Sequence, residues 1–294
     1  MDRPYSKLLT DHASLSGALP RISVCHPAAQ GEIFLHGAHL TQWQPAGHEP
    51  VLFVSSNSAF DPNSAIRGGV PICFPWFGPH ATDKSLPSHG FARITQWDLV
   101  NIQHTSDAVN VHLQLVSTPK THELWGSDFV ANFHVSFGAS LTMRLDVSNT
   151  GSSPLTFEEA LHTYYRVSDV RNITVGGLKG AEYISKAEGG LRKTQTDELV
   201  RFDRETDRLY LHTAATCVID DPGMKRRITV EECGSLSTVV WNPFEKRGSE
   251  LKDIGPGNWE PYVCVETANC GENAVTLPPG RTHEMVATVQ VTKQ

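Results

Sequence analysis

Period-two alternation of apolar and polar residues recurs along this chain and predicts strands. Val109, Val111, Leu113 and Leu115 fall on one face of a first strand; Phe133, Val135 and Phe137 on one face of a second. Leu141, Met143, Leu145 and Val147 mark a third, and Met285, Ala287, Val289 and Val291 a fourth. Sustained 3.6-residue periodicity is scarce, so helices should be few and short, with Ser127 to Asn132 and Pro243 to Leu251 as the candidates. Turn chemistry closes the strands at Asn149 to Pro154, at Asp221-Pro222-Gly223 and at Leu277-Pro278-Pro279-Gly280. The pattern predicts an all-β fold, a large antiparallel sandwich or barrel, with function on one face or its rim.

The segment Phe157 to Val167 sends two signals, because Glu-Glu-Ala-Leu favours helix and Thr-Tyr-Tyr-Arg-Val favours strand. Read as a strand, it places Glu158, Ala160, His162 and Tyr164 on one face. That face is as polar as one lining a site. A hundred residues on, Val263-Cys264-Val265-Glu266-Thr267 reads as a central strand carrying one carboxylate. A glutamate there is rarely buried without a partner or a job.

Composition narrows the setting. The 294 residues contain no linker-like stretch, and the reading is one domain over 1–294, with residues 1–15 a loosely ordered N-terminal segment. The net charge of −7 is made of singly scattered lysines and arginines, which argues against a nucleic-acid surface. The N-terminus lacks the apolar core of a signal peptide and no apolar run approaches a membrane span, so a cytoplasmic protein without a membrane partner is expected. The six cysteines form no C-x-x-C pair and are expected to be reduced thiols, mostly buried.

Several familiar motifs fail. His122-Glu123 and His283-Glu284 lack the second histidine of a zinc-protease helix, Gly68-Gly69 leads to no phosphate-binding Gly-Lys-Ser/Thr, and no G-x-S-x-G elbow exists. Neither a metal nor a cofactor is expected. The remaining candidates each carry a plain alternative. His162 is an acid or a buried histidine satisfied by a carbonyl, and Glu266 a base or an ion-paired rim residue. Arg67 and Arg93 sit in Gly-containing segments, Arg67-Gly68-Gly69 and His89-Gly90-Phe91-Ala92-Arg93, where backbone can approach a ligand and two guanidiniums suit a phosphate dianion. Phe74, Trp76 and Phe77 in the Pro71 to Pro79 run form an aromatic floor under a sugar or a plug in the end of the sandwich.

Taken together, these segments resemble the aldose 1-epimerase superfamily, in particular its hexose-6-phosphate mutarotase branch. The resemblance rests on Arg67 to Gly78, Ser88 to Arg93, Leu161 to Tyr165, Asp207 to Tyr210, Val240 to Pro243 and Val263 to Glu266, in order, over roughly residues 20 to 290. It implies a galactose mutarotase-like β-supersandwich with the site on its concave face, Glu266 as base and His162 as acid. It further implies that His89 contacts the sugar, that Arg67 and Arg93 hold the phosphate of a hexose 6-phosphate, and that Asp207 bonds a hydroxyl. Trp76 and Phe77 are assigned to the sugar-binding wall.

Such a pair would open the ring by taking the C1 hydroxyl proton while protonating the ring oxygen, with the two groups on opposite sides of the sugar. It requires His162 to hold a proton at neutral pH, which a nearby carboxylate would favour. Two competing readings remain at this point. One is a non-catalytic sugar-phosphate or partner-binding sandwich; the other is a glycosidase pairing Glu158 or Glu159 with Glu266.

Overall fold

The strands that alternate in sequence build one side of a sandwich. The computed structural model of the protein describes residues 13–16 and 19–294, so the expectation for residues 1–15 lies outside the described residues except at the strand Ala13–Ser16. A nine-stranded antiparallel sheet includes Val109–Val116, Phe129–Phe137, Leu141–Asn149 and Thr282–Lys293 as successive or near neighbours. In Phe129–Phe137 and Leu141–Asn149 every second residue is buried along the whole strand. Register matches the apolar sets, with Phe133 opposite Leu145, which also faces Met285. The predicted turns are made locally: Asn149 Oδ1 accepts the Gly151 amide at 3.0 Å, and Asp221 Oδ1 accepts that of Met224 at 3.1 Å.

The opposing eight-stranded sheet is shorter and more broken, running Leu191–Thr194, Glu182–Ser185, Thr206–Leu211, Ser237–Asn242, Tyr262–Asn269, Glu159–Leu161 and Ile72–Cys73, with Tyr164–Arg166 also on Tyr262–Asn269. Its central strand Tyr262–Asn269 is buried at all positions, because one face meets the core and the other floors a cleft. A four-stranded sheet, Ala13–Ser16 to His39–Pro45, packs beside them; Trp43 Nε1 donates to the Gly138 carbonyl at 3.1 Å across that contact. No helix among the described residues is long and apolar enough to cross a membrane.

Two local readings are corrected. Ser127 to Asn132 is not helical: its phenylalanine and alanine are buried, Phe129 pairing with Asn149 and Ala131 with Leu115, so tertiary pairing overrides local propensity. The helix lies just before it, at Pro119–Trp125, started by a Thr118/Thr121 capping box with proline in the first turn and ended by left-handed Gly126. The second helix, Phe244–Glu250, falls within the candidate Pro243 to Leu251. Phe157 to Val167 is three short strands, interrupted where the amides of Glu158 and His162 turn to the carbonyls of Pro75 and Pro71. No disulfide joins the described cysteines, and Cys73, Cys217, Cys264 and Cys270 are buried.

Candidate active site

Main-chain register creates the site. Leu161 pairs with Thr267 and Tyr164 with Cys264, so the antiparallel ladder sets His162, in the gap between two short strands, beside Glu266. Their side chains meet, with His162 Nε2 at 3.4 Å from Glu266 Oε1 and side-chain exposures of 9% and 1%. The expectation of an acid and a base on opposite edges of a sugar is therefore corrected: the two groups touch. His162 is further held by face-to-face stacking on Tyr164, at 4.9 Å and 9°, and by the edge of Trp241.

A cavity of about 400 Å³ opens over this pair, lined by Arg67, Phe77, His89, Arg93, His162, Asp207 and Glu266 among others. Trp76 is not among them. It is buried, its Nε1 donates to the Pro87 carbonyl at 2.9 Å, and it packs edge-on against Phe91, so it plugs the fold rather than facing a ligand. Glu158 and Glu159 stay outside as well. Glu158 accepts the amides of Phe77 and Gly271, and Glu159 is fully buried against His283, which leaves no second carboxylate from that segment to act with Glu266.

Sequence reasoning missed Trp241 and Lys186, both of which line the cavity. Trp241 reaches the cleft because Val239 pairs with Glu266 and period-two spacing carries Trp241 to the same face, and only that spacing is visible in the sequence. Lys186 had no readable signal, since it arrives from a short 3₁₀ turn after Glu182–Ser185. Its ammonium lies 4.4 Å from the centre of the Phe77 ring, joining two walls of the cleft. The glycines of Arg67-Gly68-Gly69 also have a different reason from the one expected. A Cβ on Gly69 would lie 2.2 Å from the Leu40 carbonyl oxygen and one on Gly68 2.4 Å from that of Phe53, so the close approach is to the protein's own backbone.

The cations differ in how far they are already engaged. Arg67 donates from Nε and Nη2 to Asp253 Oδ2, at 2.8 and 2.7 Å, and from Nη1 to the Tyr164 hydroxyl at 2.9 Å. Two of its five N–H groups are left for a ligand. Arg93 bonds the Ser88 carbonyl, and its Nε is buried without a partner. Neither Arg93 nor Lys186 has a carboxylate within ion-pair distance among the described residues.

These charges set the protonation of the floor. Burial, then Arg67 and Arg93, hold His162 well below the usual imidazole range, against the expectation that a carboxylate would keep it protonated. Burial likewise lifts Glu266 well above the usual carboxylate range, with Lys186 and Arg93 opposing. The ligand-free pair is thus driven toward one shared proton in an uncharged form. Burial, then Arg93, also depresses His89. Its Nδ1 accepts the Gly78 amide at 3.3 Å and lies 3.4 Å from Cys73 Sγ, which fixes the tautomer with the proton on Nε2. His89 is held at φ +63°, a costly backbone state of the kind that gathers at functional sites. Burial raises Asp207 too, against the pull of Lys186.

A neighbouring cavity of about 650 Å³ shares Glu205 and Asp207 with the first. Several of its polar groups pair with one another: Gln195 Oε1 accepts from Arg208 and Tyr210, and Lys193 binds Glu188. His162, Glu266 and the cations Arg67, Arg93 and Lys186 line the smaller cleft.

A β-sandwich carrying a touching imidazole–carboxylate pair beneath an open, cation-walled cleft has the form of an enzyme that shuttles protons on a small polar substrate. The chain belongs to the aldose 1-epimerase family, whose model matches residues 20–290, and is accordingly a sugar isomerase. A protein of Escherichia coli (strain K12) named "Putative glucose-6-phosphate 1-epimerase" is 38% identical over 254 residues, covering 86% of this chain and 84% of its own. One of the same name from Salmonella typhimurium is 37% identical over 265 residues, covering 90% and 88%. The crystal structure of a "putative mutarotase" from Salmonella typhimurium superposes with a TM-score of 0.92 at 34% identity, over 97% of this chain and 95% of that one.

Proposed function

We propose that this protein interconverts the α and β anomers of a hexose 6-phosphate by acid–base ring opening and reclosure. The observation that carries the reading is the 3.4 Å contact between His162 Nε2 and Glu266 Oε1 at the floor of a cleft whose Arg93 and Lys186 have no carboxylate partner among the described residues. The oxygens that must exchange protons, the C1 hydroxyl and the ring oxygen, are bonded to one carbon. An acid and a base in contact therefore suit them better than groups set across the ring.

In the forward step Glu266 takes the C1 hydroxyl proton, His162 gives a proton to the ring oxygen, and the bond from C1 to that oxygen breaks to leave an aldehyde. Rotation about C1–C2 presents the other carbonyl face, and reclosure returns both protons. The pair holds one proton before and after, so no external acid is consumed. The uncharged resting pair and the working pair differ by one transfer across their contact. Each positioned group of this kind typically contributes about 10²–10⁴-fold.

Around that centre His89 offers its Nε2 proton to a sugar oxygen, Asp207 accepts from a hydroxyl, and Trp241 with Phe77 covers the ring. Arg93, Lys186 and the two open N–H groups of Arg67 meet the phosphate, a dianion matched to clustered cations. A non-catalytic binder would have no use for a buried pair poised to trade one proton. The test is exchange NMR at equilibrium on glucose 6-phosphate, glucose and galactose with catalytic protein. Anomer exchange proportional to enzyme and fastest for the phosphate is expected; no enzyme-dependent exchange with any of the three would reject the reading.

A further inference from the structure

Tyr164 touches both halves of the site. Its hydroxyl accepts a hydrogen bond from Arg67 Nη1 at 2.9 Å, and its ring stacks on His162 at 4.9 Å and 9°. With Asp253 at one end and Glu266 at the other, the side chains form an unbroken series, Asp253–Arg67–Tyr164–His162–Glu266, of ion pair, hydrogen bond, stack and acid–base contact. Tyr164 is 1% exposed, so this contact is made out of water, where charge acts strongly.

We infer that Tyr164 is a positioning residue that couples the anion subsite to the acid–base pair, so that an occupying dianion raises the rate of proton transfer and does more than hold the sugar. This rests on the phosphate reading above. The physical reason is an asymmetry in the cleft. Arg67 opposes charge on His162 and is not among the cations acting on Glu266, whereas Arg93 and Lys186 act on both. A dianion beside Arg67 relieves that one-sided opposition and moves the shared proton from Glu266 toward His162, the arrangement that the ring-opening step uses. Arg93, Lys186 and His89 also face His162, and the same dianion screens the two cations. Binding energy from a remote, unreacting group is thereby expressed in the chemical step.

The experiment divides the substrate in two. Anomer exchange of unphosphorylated glucose is followed by NMR with phosphite dianion added, and the readout is the increment proportional to enzyme, since phosphite itself catalyses ring opening in solution. Wild type should be activated saturably by roughly tenfold or more, the change in protonated fraction that one pKa unit represents. In Tyr164→Phe, which keeps the stacked ring and removes the hydroxyl, the ratio of activated to unactivated exchange should collapse toward one. With glucose 6-phosphate the same variant should lose kcat more than it gains in KM. Phosphite that merely inhibits, or that activates Tyr164→Phe as strongly as wild type, would overturn the coupling. A glucose 6-phosphate preference residing in KM alone would sink the coupling while leaving the phosphate reading intact. Equal kcat/KM for the two sugars would remove that reading itself.

Discussion

Among the described residues two imidazole–carboxylate pairs have an almost fully buried carboxylate, and their surroundings give them opposite characters. At the floor of the cleft His162 and Glu266 meet at 3.4 Å, while His162 Nδ1 and Glu266 Oε2 are buried without partners. Behind the sheet His283 Nε2 meets Glu159 Oε1 at 2.8 Å, and Asn269 Nδ2 donates to the same oxygen. Burial opposes the proton on His283, but Glu159, helped by Asp146 and Glu284, outweighs it and raises that imidazole. The cations around His162 act with burial and lower it. The same imidazole thus holds its proton more firmly where anions surround it and less firmly where cations act together with burial. Contact distance alone does not set where the proton rests.

The strongest test of this contrast is to disable the cleft pair. Glu266→Gln and His162→Ala should each slow anomer exchange by about 10²–10⁴-fold, measured by exchange NMR, with the folded state retained by circular dichroism. Near-wild-type exchange in either would dissolve the distinction. The reciprocal change, His283→Ala, should leave exchange close to wild type and strand the Glu159 carboxylate. A loss of about 2 kcal/mol in urea unfolding is expected, less than the roughly 3–5 kcal/mol of a fully buried pair because His283 remains partly exposed. Unchanged stability, or a collapse of activity at full folding, would show that the second pair is not a strut.

Smaller effects sharpen the picture. Lys186→Ala should raise KM for glucose 6-phosphate about tenfold, the worth of one charge-assisted contact, while KM for glucose moves little. Equal changes for both sugars would mean that Lys186 serves Phe77 rather than an anion. The smallest effect concerns pH. Because folding raises His283 above its ordinary 6.5, its stabilisation is complete below that pH and is lost as pH rises through the raised folded value. Glu232, pushed by burial up to about 8, changes stability in the same direction, so the difference between wild type and His283→Ala isolates the imidazole. That difference in melting temperature should shrink as pH rises; a constant gap would deny the ion pair.

How much of this was legible in the chain follows from which faces are wet. Strands such as Leu141–Asn149 bury one face and expose the other, so alternation reveals them. Tyr262–Asn269 is buried on both faces, and what betrayed it was the lone Glu266 among apolar neighbours. The nearness of His162 to Glu266 rests on ladder register, which pairs residues a hundred positions apart and leaves no local mark. Trp76 was assigned to the wrong surface because an aromatic in a proline-bracketed loop reads alike whether it covers a ligand or a core. Lys186 became a site residue through the path of a turn, and composition gives no hint of that.

The spacing of the acid–base pair is a property of the ladder, fixed by Leu161 opposite Thr267 and Tyr164 opposite Cys264, whereas Lys186, Phe77 and Arg93 come from separate connecting segments. Engineering can exploit that division of labour. Redesign of the rim should redirect this scaffold to differently decorated sugars without disturbing the His162–Glu266 contact, while any insertion that slips this ladder by one residue should abolish turnover for every sugar alike.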